Sequence, residues 1–242
     1  MRLRMVGDTN IGKRRKINQD SLFYDAGQGL GIVADGIGGR KGGEIASSTA
    51  VQTIRKHFQD SEQIAHDELP VMIAGSVDLA NKAIIQKGKK DQAITGMGTT
   101  VNCLAFGSNK LYIGHIGDSR TYLYFNGNLW QLTVDHSIDV FLKRGWLELN
   151  ETTMNAKQDA LVKAVGLLPE LDVDVYEIPL QHNQLFLTCS DGLHGMVKET
   201  RIAQIISDNF RRFERIPSLL IKEANKNGGQ DNITVLLSHI EA

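Results

Sequence analysis

The sequence predicts an α+β fold in which helices pack outside antiparallel sheets. Three observations carry this. β-type runs come in clusters, pairs of helical segments separate the clusters, and the central cluster contains Asn126-Gly127, a two-residue hairpin signal. In chain order, residues 3–6, 21–24 and 30–34 read as strands. Residues 43–58 set Ile45, Ala46, Thr49, Ala50, Ile54 and Phe58 near one helical face, and residues 69–86 do the same with Met72, Ile73, Leu79, Ala80 and Ala83. Residues 99–133 form a meander of strand-like runs, TTVNCLAF, KLYIGHIGD, SRTYLYF and NLWQLT. Residues 138–145 read as a short helix, and 148–157 are polar and poorly periodic. Strands follow at 173–178 and 184–190, then helices at 199–207 and 217–225, with Pro217 suited to a first helical turn. Residues 233–238 close the chain as a strand. With no repeat, low-complexity tract or linker, a single domain over 1–242 is expected.

Composition narrows the function classes. Lys+Arg is 27 and Asp+Glu is 28 in 242 residues, a net charge of −1, so no field of one sign recruits nucleic acid or a membrane surface. The apolar share of 41% and charged share of 23% are those of a globular protein. No apolar run approaches the roughly 20 residues of a membrane span. The opening MRLRMVGDTN meets Gly7 and Asp8 too early for a signal peptide. Cys103 and Cys189 lie inside apolar runs and are expected as buried thiols in a reducing compartment. The expectation is a soluble, cytoplasmic, monomeric protein; the N-x-T triplets at Asn150 and Asn232 are accordingly set aside.

One pattern recurs. Ile32-Val33-Ala34 leads into Asp35-Gly36, residues 112–117 into Asp118-Ser119, residues 185–190 into Asp191-Gly192, and Asp231-Asn232 opens directly into a strand. A single aspartate at a strand tip is ordinarily a turn-former that accepts backbone N–H bonds. Four of them, with Asn18-Gln19-Asp20, imply carboxylates crowded at converging sheet ends. Crowded carboxylates repel unless they are protonated or bound to cations. No histidine pair has a ligand spacing and the cysteines are not in C-x-x-C, so an oxygen-only site for Mg²⁺ or Mn²⁺ is favoured over Zn²⁺. Such sites commonly hydrolyse phosphate esters. Within the run Lys13-Arg14-Arg15-Lys16, one guanidinium suffices to fork onto a phosphate, and the other three side chains read as a solvated turn.

Two other patterns are rejected. Gly7 to Lys13 matches a phosphate-loop spacing, but Arg14 stands where Ser/Thr is required and no apolar helix follows. Gly117-Asp118-Ser119 suggests an esterase nucleophile, but it lies inside the meander with no assignable histidine partner.

The ordered set is Gly12-x-x-Arg15-x-x-Asn18-Gln19-Asp20, Ala34-Asp35-Gly36-Ile37-Gly38-Gly39, Gly42-Gly43-Glu44-x-Ala46-Ser47, Gly96-Met97-Gly98-Thr99-Thr100, Gly117-Asp118-Ser119-Arg120, Cys189-Ser190-Asp191-Gly192 and Gly228-Gly229-Gln230-Asp231-Asn232-Ile233-Thr234. In that order it resembles the metal-dependent protein phosphatases of the type 2C class, in their compact bacterial branch, from about Gly7 to Leu237. The resemblance implies a β-sandwich of two antiparallel sheets flanked by helix pairs, with metals at one end, and hydrolysis of phosphoserine and phosphothreonine in proteins. It implies that Asp35 bridges two metals, that the Gly36 carbonyl binds the second and that Asp191 and Asp231 complete the first. Asp118 with Asp191 would hold a weaker third ion, Asp20 would hydrogen-bond metal-bound water, Asn232 would orient the cluster, and Arg15 would grip the substrate phosphate. A flap is implied at about 139–160. Where eukaryotic members carry a histidine as proposed general acid, this sequence has Ile37, so leaving-group protonation has no assigned residue.

The resulting reading is a protein serine/threonine phosphatase that uses Mn²⁺ or Mg²⁺, in which a water bridging two ions attacks phosphorus in line. The expected partners are phosphorylated proteins, substrates of a Ser/Thr kinase or including that kinase. Two rivals remain: a silent phosphoprotein-binding module of the same fold, opposed by the retained Asp35, Asp191 and Asp231, and an Asp-cluster metallonuclease, opposed by the lack of a basic stripe.

Overall fold

The computed structural model describes residues 1–37, 41–61, 65–148, 150, 152, 157 and 160–241. One five-stranded sheet runs β1 (Arg2–Asn10), β10 (Ile233–Glu241), β9 (Leu185–Cys189), β6 (Arg120–Phe125) and β7 (Asn128–Gln131). The other, also five-stranded, runs β2 (Asp20–Asp25), β3 (Leu30–Asp35), β4 (Val101–Phe106), β5 (Lys110–Ile116) and β8 (Asp174–Pro179). Every neighbouring pair is antiparallel. Helices α1 (Gly43–Asp60) and α2 (Leu69–Lys90) cover the outer face of the second sheet, while α5 (Glu199–Asn209) and α6 (Ile216–Lys226) cover that of the first. The expected α-β-β-α sandwich is the fold.

The two-residue period of the strands divides their side chains between layers. Val101, Cys103 and Ala105 of β4 face α1 and α2, while Leu104 faces the other sheet. Leu185, Leu187 and Cys189 of β9 face α5 and α6, and Phe186 points between the sheets to meet Leu104, Leu111, Ile113 and Ile240. Both faces are buried, so these strands read as continuous apolar runs. The filling between the sheets then changes character along the strands. Beyond Leu104 and Phe186 it is polar: Asn102 donates to Thr121 Oγ1 at 3.0 Å, and Thr121 and Thr188 hydroxyls meet at 3.0 Å. This hydrogen-bonded end is where the four strand-tip aspartates lie.

Several boundaries differ from the sequence expectation. β1 extends to Asn10 because it pairs along its whole length with β10, a partnership between chain ends that no local pattern reveals. Helix α2 continues to Lys90, and its core face is Ile73, Val77, Ala80 and Ile84; Leu79, expected inside, is exposed. A one-turn helix, α4 (Asp191–His194), was not anticipated, being too short to show a period. Asn126-Gly127 does form the hairpin turn, with positive φ at both residues. α3 (Ile138–Lys143) occupies the start of the expected flap. About half of the rest of that flap falls on residues outside those described, as do Gly38 and Gly39.

Candidate metal and phosphate site

Asp35 ends β3 and is anchored from behind by β4. Its N–H donates to Thr100 Oγ1 at 2.9 Å, and its carbonyl accepts from Thr99 Oγ1 and Thr100 N–H, both at 2.8 Å. Gly36 N–H donates to Gln19 O at 3.0 Å. A Cβ on Gly36 would stand 2.2 Å from the Gly43 carbonyl, so only glycine lets the strand tip pass this close to the start of α1. Asp20, at the start of β2, faces Asp35 in register. Ser190 Oγ and Thr234 Oγ1 donate to Asp20 Oδ2 at 2.8 and 2.6 Å. Asp191 opens α4, and Asp231 precedes β10, its Oδ1 accepting from Asn232 N–H at 2.8 Å.

The structure brings Asp20, Asp35, Asp118, Asp191 and Asp231 together. Burial raises the Asp35 pKa well above the carboxylate range, and the charges of Asp20, Asp191, Asp118 and Asp231 add to the effect. Burial pushes Asp20 up to about 7, with Asp191 adding to it. Burial also raises Asp118 to about 7, helped by Asp191 and Asp135, and Asp191 to about 6, helped by Asp231. Interaction with the Asp35 carboxyl acts the other way, lowering Asp20 and Asp191. Asp20 Oδ1 and Asp191 Oδ1 are nevertheless buried without a donor. Acceptors that face acceptors need a proton or a cation between them.

The donor set is hard oxygen, which fits Mg²⁺ or Mn²⁺. Among the described residues no three His, Cys, Asp or Glu side chains gather as a ready-made cage. A site that completes its shell with a backbone carbonyl and water does not require one, and Mg²⁺ in particular keeps several waters.

Arg15 places a guanidinium against Asp231. Its Nη2 donates to Asp231 Oδ2 at 2.6 Å, while Lys13, Arg14 and Lys16 are exposed, as the solvated-turn reading expects. Asn232 fixes the loop that carries Arg15. Its Nδ2 donates to Ile11 O and Ile17 O at 2.9 and 3.0 Å, and its Oδ1 accepts from Gln19 N–H at 2.8 Å. Ser119, rejected as a nucleophile, is fully buried and bonded to the Thr100 hydroxyl at 2.8 Å.

A cavity of about 440 Å³ opens beside the cluster, lined by Asp118, Asp191 and Asp231 together with Arg120, Asp135 and His194. Sequence reasoning missed the last three as site residues. Arg120 Nε and Nη2 fork onto Asp135 at 2.9 and 2.7 Å, and the guanidinium charge partly offsets the carboxylates around Asp118. The signal for Asp135 was present: Leu132-Thr133-Val134-Asp135 repeats the approach of an apolar run to an aspartate.

The sequence matches the family model described as protein phosphatase 2C over residues 6–223. The chain belongs to the protein phosphatase 2C family. This phosphatase 2C chain is 32% identical over 234 residues to a protein named serine/threonine phosphatase stp from Listeria welshimeri, covering 95% of this chain and 92% of the relative. Its fold is similar to the S. agalactiae serine/threonine phosphatase, with a TM-score of 0.87 at 29% identity over 99% of this chain and 100% of that one. It is also similar to the catalytic domain of the serine/threonine protein phosphatase PstP, solved in complex with two manganese ions, with a TM-score of 0.84 at 28% identity over 99% of each chain.

Proposed function

We infer that this phosphatase 2C chain is a metal-dependent serine/threonine phosphatase that hydrolyses phosphoserine and phosphothreonine in proteins. The observation that carries the reading is the set of five converging aspartates, with buried oxygens that lack donors, beside an arginine able to take a phosphate. Family membership and the relatives named as serine/threonine phosphatases support the substrate class.

Two ions, Mn²⁺ or Mg²⁺, would be held by Asp35, the Gly36 carbonyl, Asp191 and Asp231, and a weaker third by Asp118 with Asp191. When bound, such ions polarise phosphoryl oxygens and supply a nucleophile from water at neutral pH. Arg15 has two anions to choose between. It pairs with Asp231 in the present geometry, and its planar fork suits two phosphate oxygens better than one carboxylate oxygen. Its contact with phosphate strengthens as charge develops there. Asp20, held by Ser190 and Thr234 through one oxygen, keeps the other free to orient a proton inside the cluster. Asn232 acts at a distance by fixing the Arg15 loop to the base of β10.

We propose further that the chain acts as one catalytic unit and a monomer, in the cytoplasm, on proteins phosphorylated by a Ser/Thr kinase. Among the described residues no helix is long and apolar enough to cross a membrane. The test is phosphate release from a phosphothreonine peptide by protein stripped with EDTA and then returned to Mn²⁺ or Mg²⁺. Turnover should vanish on stripping and return with either ion. Full turnover in the stripped sample, or none with metal, overturns the reading.

A further inference from the structure

Asp118 sits on the turn between β5 and β6, and histidines from two distant parts of the chain hold that turn. His136 N–H donates to Gly117 O at 2.8 Å, and Gly117 N–H donates back to His136 Nδ1 at 3.1 Å. From the other side, His194 Nε2 donates to the Asp118 carbonyl oxygen at 3.1 Å. A carbonyl only accepts, so this ring nitrogen carries the hydrogen. His194 is the last residue of α4, the single turn that opens with Asp191. One side chain therefore ties the backbone of Asp118 to the element that carries Asp191.

We infer that His194 is a positioning residue that fixes Asp118 against Asp191 and thereby sets the affinity of the weaker third cation position. The inference rests on the assignment of Asp118 and Asp191 to that position under the proposed function. Its physical basis is preorganisation. The two carboxylates stand on turns that leave different strands and line the same cavity, so their charged forms repel each other. Without a cross-link the Asp118 turn relaxes outward, and binding must then bear the cost of drawing it back. Groups that orient ligands in this way typically set 10–100-fold of metal affinity. His136 remains to hold Gly117 when His194 is altered, so the effect stays local to the carboxylate.

The experiment is a direct calorimetric titration of Mn²⁺ into the stripped full chain for wild type, His194→Leu, His194→Gln and Asp118→Ala. Glutamine places an amide donor close to the position of the imidazole Nε2; leucine keeps the bulk and removes the donor. His194→Leu should weaken the low-affinity phase about 10-fold or more while the tight phase keeps its stoichiometry, which also shows that the variant is folded. His194→Gln should titrate like wild type, and Asp118→Ala should lack the low-affinity phase. If Asp118→Ala loses that phase but His194→Leu titrates like wild type, the role of His194 is overturned while the ligand assignment stands. If Asp118→Ala keeps the phase, the ligand assignment fails, and the inference fails with it.

Discussion

Of the four consecutive basic side chains at 13–16, Arg15 alone turns inward, and Asp231 receives it at 2.6 Å. The difference in placement predicts a difference in kinetics. Arg15→Ala should lower kcat/KM for a phosphothreonine peptide by roughly 10²-fold, about 2.7 kcal/mol, because the lost contact is strongest in the transition state. Arg14→Ala, at an exposed position, should change it far less. Steady-state kinetics of the two variants side by side decide the matter; equal losses would remove Arg15 from its role. At this scale the sequence was informative wherever the pattern is local. An aspartate at either tip of an apolar run can be read from consecutive residues, and Asp35, Asp118 and Asp191 at strand ends and Asp231 at a strand start were found that way. His194 and Arg120 were not, because their meaning lies in partners far along the chain, Asp118 for one and Asp135 for the other. Asp20 was flagged, but its two hydroxyl donors come from β10 and the end of β9, which only the fold brings to it.

Among the elements, α4 carries the heaviest geometric demand. Gly192 follows Asp191, and a Cβ there would stand 1.9 Å from the Asn232 carbonyl oxygen. The turn that presents Asp191 is therefore in backbone contact with the loop that presents Asp231. Gly192→Ala should push the two apart. The expected cost is about 2 kcal/mol, within the range for overpacking at a site that cannot yield, read from urea unfolding. A weakened Mn²⁺ affinity should accompany it. Wild-type stability would mean that this contact can open without consequence. A single turn shows no hydrophobic period, so α4 was not legible in advance, whereas α1 and α2 were, through apolar residues three and four apart. The placement of Leu79 failed for a related reason: it neighbours the core stripe of Ile73, Val77, Ala80 and Ile84, and a stripe's edge is poorly set by composition alone. Strand existence was legible and strand order was not. The pairing of β1 with β10, and of β9 with β6, depends on closure over long loops that no local signal encodes.

Across the whole molecule, the two sheets share an interior that is apolar at one end and polar at the other, and the carboxylates stand at the polar end. Stability without metal is therefore tied to pH. Asp20 and Asp118 are raised to about 7 and Asp191 to about 6, from an ordinary value of 3.8. A carboxyl whose folded pKa lies above its unfolded one binds more protons when folded, so it lowers stability progressively as pH rises from its unfolded toward its folded pKa. Buried His115 and His194, pushed down to about 4, act in the opposite sense below their ordinary 6.5, so the carboxyls are read by comparison: in EDTA the melting temperature should fall more steeply between pH 5 and pH 8 for wild type than for Asp118→Asn. Saturating Mn²⁺ should flatten that decline at its upper end, since a bound cation replaces the protons. The same pH dependence in wild type and Asp118→Asn would contradict the crowding of these groups.

The central claim is that the buried aspartates form a cation site and are held at a cost to the metal-free fold. Asp35 is the group to alter, because Asp231 already has Arg15 as a partner and Asp35 is surrounded by carboxylates. Asp35→Asn keeps the shape, removes a group that can ionise and supplies an amide donor to acceptors that lack one. Thermal melts of wild type and Asp35→Asn, each in EDTA and in excess Mn²⁺, test the claim most directly. The variant should melt higher than wild type in EDTA, by about 1 kcal/mol or more, and should gain much less on adding Mn²⁺. A variant that melts lower than wild type in EDTA and keeps the full Mn²⁺ increment would show Asp35 to be a turn-former bonded to backbone, and would contradict the account.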